Sequence, residues 1–128
     1  RHEDESVCAG LYVFPCGINH EKSMSDILEK IDSDFGTSHP VEWSSKLLLG
    51  VLSAHPFLNG NGRMARLCFA YGLVRHGVPC AVVFSDWHSK DRSHYIAAVR
   101  AAQGQKGEVN LEKLHSMAIV GLFATLKN

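Results

Sequence analysis

Apolar residues recur every three or four positions in five stretches of this chain, a spacing that places them on one face of an α-helix. We therefore predict five helices: Asn19 to Asp32, a second opened by Ser38 and Pro40 and stopped by Pro56, Asn61 to Gly77, Ser89 to Gln103, and Asn110 to Lys127. Ahead of them, Val7 to Cys16 is rich in β-branched and aromatic residues, which predicts a short hairpin or an edge strand. The pattern thus predicts an all-α chain with one small β element.

The second helix differs from the others because its apolar residues occupy both sides. Trp43, Leu47, Val51 and Ala54 form one stripe, and Leu48, Leu49 and Leu52 form the other. A helix that is apolar all round is expected to be buried at the centre of the fold. After it, two glycines and two asparagines crowd into four positions, which predicts a tight loop before the third helix.

The caps and faces of the other helices follow from the same pattern. Ser23, with Asp26 three residues later, is expected to cap the first helix, and Asn61 is expected to cap the third. The apolar positions that mark the last three helices are, in order, Leu67, Cys68, Tyr71 and Val74; Tyr95, Val99 and Ala102; and Leu111, Leu114, Ala118 and Leu122. A further short apolar piece is Ala81 to Phe84.

Length and composition narrow the class of protein. The 128 residues are enough for one compact domain over residues 1–128, and the first residue, Arg1, suggests a domain excised from a longer chain. Thirteen basic residues balance thirteen acidic ones, which argues against nucleic acid and anionic membranes as partners. No apolar run reaches the roughly 20 residues that span a bilayer, and no signal peptide opens the chain, so we expect a soluble protein.

The four cysteines and eight histidines do not form a recognisable metal pattern. Without CxxC or HxxxH spacing, a zinc site is not expected. We interpret the cysteines as reduced thiols of a cytoplasmic protein, with a disulfide between Cys8 and Cys16 as the alternative.

The loop before the third helix carries the chemistry of the sequence. Glycines allow successive backbone N–H groups to turn toward one point, and the start of the next helix adds the positive end of its dipole, so the loop can cradle an anion. Arg63 and Arg66 lie one turn apart at that start and can both reach phosphate oxygens. His55, just before the loop, can accept a proton near neutral pH. A base beside a polyvalent anion indicates transfer of a phosphate-containing group.

Simpler interpretations fit the same residues. The loop can be a plain turn between helices, with Arg63 and Arg66 on a solvated face, and His55 can be a capping or packed histidine. Phe57 is the type of residue that belongs to a core. Residues and spacing alone leave these alternatives open.

The segment His55 to Arg66, HPFLNGNGRMAR, resembles the defining motif of the Fic family, H-x-F-x-[D/E]-G-N-G-R-x-x-R, at every fixed position but one. The resemblance extends to the β element before it, to the buried helix that leads into it, and to DRSHYIAAVRAAQ, residues 91–103, after it. It implies a helical Fic core with residues 7–16 as a β-hairpin flap. It also implies an enzyme that transfers AMP from ATP to a serine, threonine or tyrosine hydroxyl of a target protein docked near residues 12–16, releasing pyrophosphate.

The resemblance assigns a role to each residue of the motif. His55 is implied as the general base and Phe57 as the anchor of the loop in the core. Gly60, Asn61 and Gly62 are implied as the anion hole, with Arg63 orienting the β- and γ-phosphates and Arg66 supporting it. Tyr95 and Gln103 match positions near the adenine in relatives, although an asparagine is more usual where Gln103 stands. The alternative for Tyr95 is a core aromatic residue on an amphipathic helix.

The one departure from the motif is Asn59, where the family usually has an aspartate or glutamate that holds Mg²⁺ between the α- and β-phosphates. An amide keeps an oxygen ligand but loses the charge, so Mg²⁺ or Mn²⁺ is expected to bind more weakly at Asn59. We expect activity to be retained. The competing hypotheses are a nucleotide-binding module without chemistry and transfer of a different phosphate-containing group.

Overall fold

The computed structural model describes Val7–Ala9, Tyr12–Phe14 and residues 19–78, 90–104 and 109–127. Within these ranges the chain forms two short strands and five helices. They are β1 (Val7–Ala9), β2 (Tyr12–Phe14), α1 (His20–Ser33), α2 (Pro40–Ala54), α3 (Asn61–Arg75), α4 (Lys90–Ala102) and α5 (Glu112–Lys127). All five predicted helices are confirmed, with ends within two residues of the predicted ones. The apolar piece Ala81 to Phe84 lies outside the described residues.

Helix α1 begins one turn earlier than its predicted cap. The Oδ1 of Asn19 accepts a hydrogen bond from the backbone N–H of Lys22 at 2.9 Å, so Asn19 is the N-cap. Ser23 lies inside the helix, and the prediction that it caps α1 is wrong. The chain satisfies its unpaired N–H groups at the first residue able to do so, and a later serine then continues the helix.

Helix α2 is the centre of the fold, as predicted. It starts at Pro40, ends at Ala54 and contacts α1, α3 and α5. One side packs into the main core, where Leu48 and Val51 are buried, while Trp43 and Leu47 on another side are buried against Ile31 of α1. Burial of two faces explains why apolar residues surround this helix.

Helix α3 returns antiparallel to α2 and lies very close to it. A Cβ atom added to Gly72 would collide with the Ser44 side chain and lie 3.2 Å from Ser44 Cα. The inner face of α3 is formed by Ala65, Phe69, Gly72 and Leu73. The small residues of this face, Ala65 and Gly72, let the two helices approach each other.

Three apolar positions that mark α3 in the sequence do not face the core. Leu67, Tyr71 and Val74 are all more than half exposed, and Cys68 is half-buried. Because α3 carries apolar residues on both sides, periodicity alone could not identify the side that packs on α2.

The last two helices complete the core largely as predicted. Tyr95, Val99 and Ala102 of α4 are buried together with Ala98. On α5, Leu114 and Ala118 are buried, while Leu111 and Leu122 are half-buried. Together with α2 and α3 these helices form one contiguous apolar cluster.

The predicted β element is a two-stranded antiparallel ribbon, β1 and β2. Its register pairs Val7 with Phe14, Cys8 with Val13, and Ala9 with Tyr12. Pro15 and Cys16, which belong to the predicted hairpin, lie outside the described residues.

Among the described side chains, Cys68 is a free thiol, and burial raises its pKa. The side chains of the cysteines in the alternative disulfide, Cys8 and Cys16, are not among those described. In the described part of the chain, none of the helices has the length and apolar character needed to cross a membrane.

Candidate functional site

The six-residue turn from α2 to α3, residues 55–60, starts at His55, whose backbone is left-handed with φ 45° and ψ 54°. Among the described non-glycine residues, no other has a positive φ. This conformation costs a non-glycine residue on the order of 1–3 kcal/mol and is kept only where surrounding contacts enforce it. It turns the chain sharply at the end of α2, where the six-residue turn toward α3 begins.

The proline after His55 determines how the imidazole ring is held. A residue at position 56 would normally donate its N–H to the carbonyl of Leu52, but Pro56 has no N–H. The Nδ1 atom of His55 lies 3.4 Å from that carbonyl oxygen instead, a long hydrogen bond. Because a carbonyl only accepts, the contact favours the tautomer with the proton on Nδ1, in which Nε2 carries the lone pair.

The loop is closed by the side chain of Asn61, which is only 3% exposed. Its Oδ1 accepts from the N–H of Phe57 at 3.0 Å, and its Nδ2 donates to the carbonyl of Phe57 at 2.7 Å. Both polar groups of one loop residue are therefore satisfied by one amide side chain. Asn61 is the first residue of α3 rather than its cap, so the predicted capping role is wrong and its side chain instead closes the loop.

Phe57 does not anchor the loop through its ring. The side chain is 43% exposed, which contradicts the implied role as a core anchor. The backbone of Phe57 is fixed by Asn61, so the ring is not required to be buried for the loop to keep its shape. The exposed ring stands at the edge of the site and can contact a bound molecule.

Gly60 and the first turn of α3 have the backbone geometry on which the predicted anion cradle depends. Gly60 is the N-cap with φ 84°, a conformation that favours glycine, and the first helical hydrogen bond runs from Met64 N–H to Gly60 O at 2.9 Å. The N–H groups of Asn61, Gly62 and Arg63 precede that bond and have no partner within the helix. With no acidic residue in this first turn, the N–H groups and helix dipole leave a net positive field at the loop.

The two arginines lie over the glycines of the loop. A Cβ atom added to Gly60 would be 3.5 Å from Nη2 of Arg63, and one added to Gly62 would be 3.6 Å from Nη1 of Arg66. Arg63 is exposed and Arg66 is half-buried. The structure thus places both guanidinium groups beside the glycines of the loop, and their binding of phosphate oxygens stays a prediction.

Tyr95 is a buried residue whose ring contacts Arg66. The tyrosine is 6% exposed, and the Arg66 guanidinium carbon lies 5.9 Å from the centre of its ring. Burial raises the pKa of the phenol, and the charge of Arg66 together with a hydrogen bond from it works in the opposite direction. The phenol is therefore neutral near pH 7 and holds the arginine from the core side. This burial supports the packing interpretation of Tyr95, and contact with adenine stays a prediction.

Gln103 reaches the same end of the molecule from the end of α4. Its Nε2 lies 3.4 Å from Oγ of Ser53, two residues before His55. The side chain is half-buried, so part of it faces solvent beside the loop. Its role as an adenine ligand stays a prediction.

The loop offers only weak ligands for a metal ion. The Oδ1 of Asn59 accepts from the N–H of Gly60 at 2.7 Å, so the one oxygen offered at the motif position is neutral and already hydrogen-bonded. The described residues contain no group of three His, Cys, Asp or Glu side chains that could hold an ion. These residues alone do not fit a Mg²⁺ site. The same bond also engages the N–H of Gly60, so this glycine contributes its conformation to the cradle rather than its donor.

Sequence reasoning missed one buried polar residue beside the site. His20, the first residue of α1, places Nδ1 3.2 Å from the carbonyl oxygen of Ala54, immediately before His55. The two residues are 34 positions apart, and no periodicity or motif links them. Nothing in the sequence signals this contact.

Comparison with known proteins gives a family. A family model described as Fic/DOC family matches residues 1–73. A Fido domain-containing protein of Dictyostelium discoideum is 33% identical over 103 residues, which cover 79% of this chain and 69% of that protein. The protein adenylyltransferase Fic of Nematostella vectensis is 31% identical over 90 residues, which cover 69% of this chain. The match spans only 21% of that second, longer relative.

Proposed function

The chain belongs to the Fic/DOC family, and from that premise we propose that it transfers AMP from ATP to a serine, threonine or tyrosine hydroxyl of a target protein, with release of pyrophosphate. The observation that supports the proposal is that His55 opens the turn that ends at the start of α3, where Arg63 lies beside Gly60 and Arg66 beside Gly62. The name of the Nematostella vectensis relative, an adenylyltransferase, agrees with this reaction class.

His55 acts as the general base. Its Nε2 takes the proton of the target hydroxyl as that oxygen attacks the α-phosphorus of ATP. The bond between the α-phosphorus and the oxygen bridging to the β-phosphate breaks, and pyrophosphate leaves with the electron pair. The products are an AMP phosphodiester on the target, pyrophosphate, and a protonated His55 that returns its proton to solvent.

The cradle stabilises the charge that builds up on the phosphates. The N–H groups of Asn61, Gly62 and Arg63 face the phosphate oxygens, and the dipole of α3 adds to them. The Arg63 guanidinium orients the β- and γ-phosphates, and Arg66, held by Tyr95, supports it. Each of these groups is positioned before substrate binds, so little reorganisation is needed in the transition state.

The β1–β2 ribbon is the proposed docking flap. A two-stranded ribbon has two free edges, and an extended segment of the target can pair with one of them through backbone hydrogen bonds. Residues 12–16 are the proposed pairing segment, because β2 is the strand nearer in sequence to α1. Such pairing recognises the target mainly through its backbone. The register of the pairing then determines where the hydroxyl side chain of the target lies.

The metal is proposed to be carried by the nucleotide. Mg²⁺ or Mn²⁺ bound to the ATP phosphates neutralises part of their charge, and Asn59 is the residue of this chain that would add an oxygen to it. Because Asn59 is a neutral ligand, the protein contributes little to metal affinity. The arginines and N–H groups therefore hold most of the phosphate charge.

A labelled-nucleotide experiment tests the proposal. The protein is incubated with a cell lysate and ATP labelled either at the α- or at the γ-phosphate, with Mg²⁺, Mn²⁺ or a chelator, and intact masses are measured. We expect α-label, and no γ-label, in a protein adduct of AMP mass, and free pyrophosphate as the second product. Incorporation of γ-label would instead indicate transfer of a phosphoryl group.

The alternative is a nucleotide-binding module that has lost its chemistry. The observation that favours it is the neutral, hydrogen-bonded oxygen of Asn59 where the family motif has a carboxylate. This alternative predicts ATP binding by calorimetry without any adduct under all three metal conditions. Transfer of another phosphate-containing group would give an adduct of a different mass, and a panel of nucleotide donors separates it from AMP transfer.

A further inference from the structure

His20 occupies a position from which it controls the backbone leading into His55. It is the first residue of α1, is 6% exposed, and places Nδ1 3.2 Å from the carbonyl oxygen of Ala54. That carbonyl is one of the last four of α2, which have no partner within the helix. A carbonyl that is partly removed from water is destabilising without a donor, and His20 provides one.

The carbonyl of Ala54 and the N–H of His55 belong to the same peptide unit. The N–H donates to Val51 O at 3.0 Å, and the carbonyl accepts from His20. With both polar groups bonded, the plane of this peptide cannot rotate without breaking one of the bonds. φ of His55 is the rotation about its N–Cα bond relative to this plane, so the two bonds fix the reference from which His55 takes φ 45°.

The conformation of His55 needs such a restraint. A left-handed backbone is unfavourable for a histidine. Without the bond to His20 the peptide plane would therefore rotate, and φ of His55 would relax toward a negative value. Such a rotation would carry the imidazole away from Leu52 O. The tautomer and the direction of Nε2 therefore depend on a residue that does not itself approach the substrate.

We propose that His20 is a positioning residue for the reaction. Its Nδ1–H fixes the Ala54–His55 peptide and thereby aims the imidazole of His55 at the cradle. The inference rests on the proposed function of His55 as the base, but its structural part, the restraint on the backbone of His55, can be measured without any catalysis.

The kinetic test replaces His20 with leucine, which fills the space without a donor, and with asparagine, whose Nδ2–H can donate from nearly the position of Nδ1. Loss of one buried hydrogen bond at the base is expected to lower kcat about tenfold in His20→Leu while the Kd for ATP stays unchanged. His20→Asn is expected to restore most of the rate. In the His55→Ala background, His20→Leu should cause no further loss.

A spectroscopic test gives a readout that does not depend on activity. The backbone ¹³C shifts and the N–H to Hα coupling of His55 report its φ, and a long-range ¹H–¹⁵N spectrum of its imidazole reports the tautomer. We expect both to change in His20→Leu and to return toward the parent values in His20→Asn. If the parent chain transfers nothing, this test still decides the inference, so the two proposals can fail separately.

His39→Leu is the matched control. His39 also uses Nδ1 in a side-chain to backbone bond, from Val41 N–H at 3.2 Å, but at the opposite end of α2. The His39→Leu variant should have a lower melting temperature but unchanged signals of His55. The proposal is overturned if the His55 signals in His20→Leu match those of the parent, if His39→Leu moves them equally, or if His20→Asn restores neither signals nor rate.

Discussion

The two ends of the antiparallel pair α2 and α3 are built in opposite ways. At one end, which we call the aromatic end, the rings of Phe35, Trp43 and His76 pack in edge and tilted contacts, and Arg75 lies over Phe35. At the other, the loop end, residues 55–61 leave their apolar side chains largely exposed and are held by hydrogen bonds to backbone groups.

The aromatic end joins three helices through contacts between side chains. Trp43 donates its indole N–H to Ile31 O at 2.8 Å, and Arg75 lies 4.0 Å from the centre of the Phe35 ring while pairing with Asp32 at 2.6 Å. These contacts bury large apolar rings and satisfy the polar atoms of the tryptophan and arginine. They stabilise the fold and offer few groups for chemistry.

The loop end depends on a few polar side chains that each fix a backbone group. His20 holds Ala54 O, His55 faces Leu52 O, and Asn61 holds both polar groups of Phe57. Arg63 stays exposed beside this loop, whereas a packed apolar loop would cover it. Stability and chemistry are therefore separated along one helix pair, and variants at the two ends should affect different measurements.

His55→Ala at the loop end should have the largest effect on activity. Loss of a general base usually costs about 10²–10⁴-fold in rate, so transfer of AMP should fall to near background. ATP should still bind, because the cradle and the arginines remain. Rates from the mass assay, Kd from calorimetry and melting temperature are compared with the parent, and a variant that transfers AMP at the parental rate would show that His55 is not the base.

Gly72→Ala, toward the aromatic end, should have the opposite signature. Its new Cβ would meet the Ser44 side chain and approach Ser44 Cα to 3.2 Å, so α2 and α3 must separate. Overpacking of this kind costs about 1–3 kcal/mol of the free energy of unfolding. Urea unfolding measures it, with Gly36→Ala as the control because nothing lies within 4 Å of that site. Equal stability of the two variants would contradict the close approach of the helices.

The helical frame could be predicted from the sequence because it follows from periodicity, whereas of the aromatic end only Trp43 was predicted, as part of the apolar stripe of α2. The unbroken apolar surface of α2 correctly predicted a central helix, and Pro56 correctly predicted its end. The side of α3 that faces the core could not be predicted, because apolar residues such as Leu67 and Phe69 lie on both sides. Only the close approach at Gly72 distinguishes them, and this contact is a property of the folded pair.

At the loop end the sequence predicted the residues better than their roles. The motif identified Asn61 and Phe57, but a cap and a core anchor were expected where the structure has a loop clamp and an exposed ring. The difference arises because Asn61 lies four residues from Phe57 across a tight turn, so one amide can reach both backbone groups. His20 could not be found at all, since its contact with Ala54 depends on how α1 packs on α2.

Asn59→Asp should increase the difference between the two ends, because it adds a negative charge at the loop end alone. A carboxylate close to a metal ion bound to ATP should strengthen metal binding by roughly 1 kcal/mol, about fivefold, and raise the rate of AMP transfer. Titration of Mg²⁺ and Mn²⁺ into the ATP complex measures the affinity, with Asn110→Asp as a control that adds the same charge outside the loop. Unchanged titration curves and rates would mean that position 59 does not contribute to metal binding.

The smallest expected effect is on how stability depends on pH, and it arises at the aromatic end of α2. Burial lowers the pKa of His115 from its ordinary value of 6.5; the charge of Glu42 opposes this shift and that of His39 adds to it. Since the folded state disfavours the protonated imidazole, the contribution of His115 to stability is complete above about pH 6.5 and is lost as the pH falls below it. Urea unfolding at pH 8 and pH 5.5 should therefore show a smaller loss of stability on acidification in His115→Gln than in the parent. The pH dependence of AMP transfer should be the same in both, because His115 lies away from the loop end; a changed rate profile would show that the two ends are coupled.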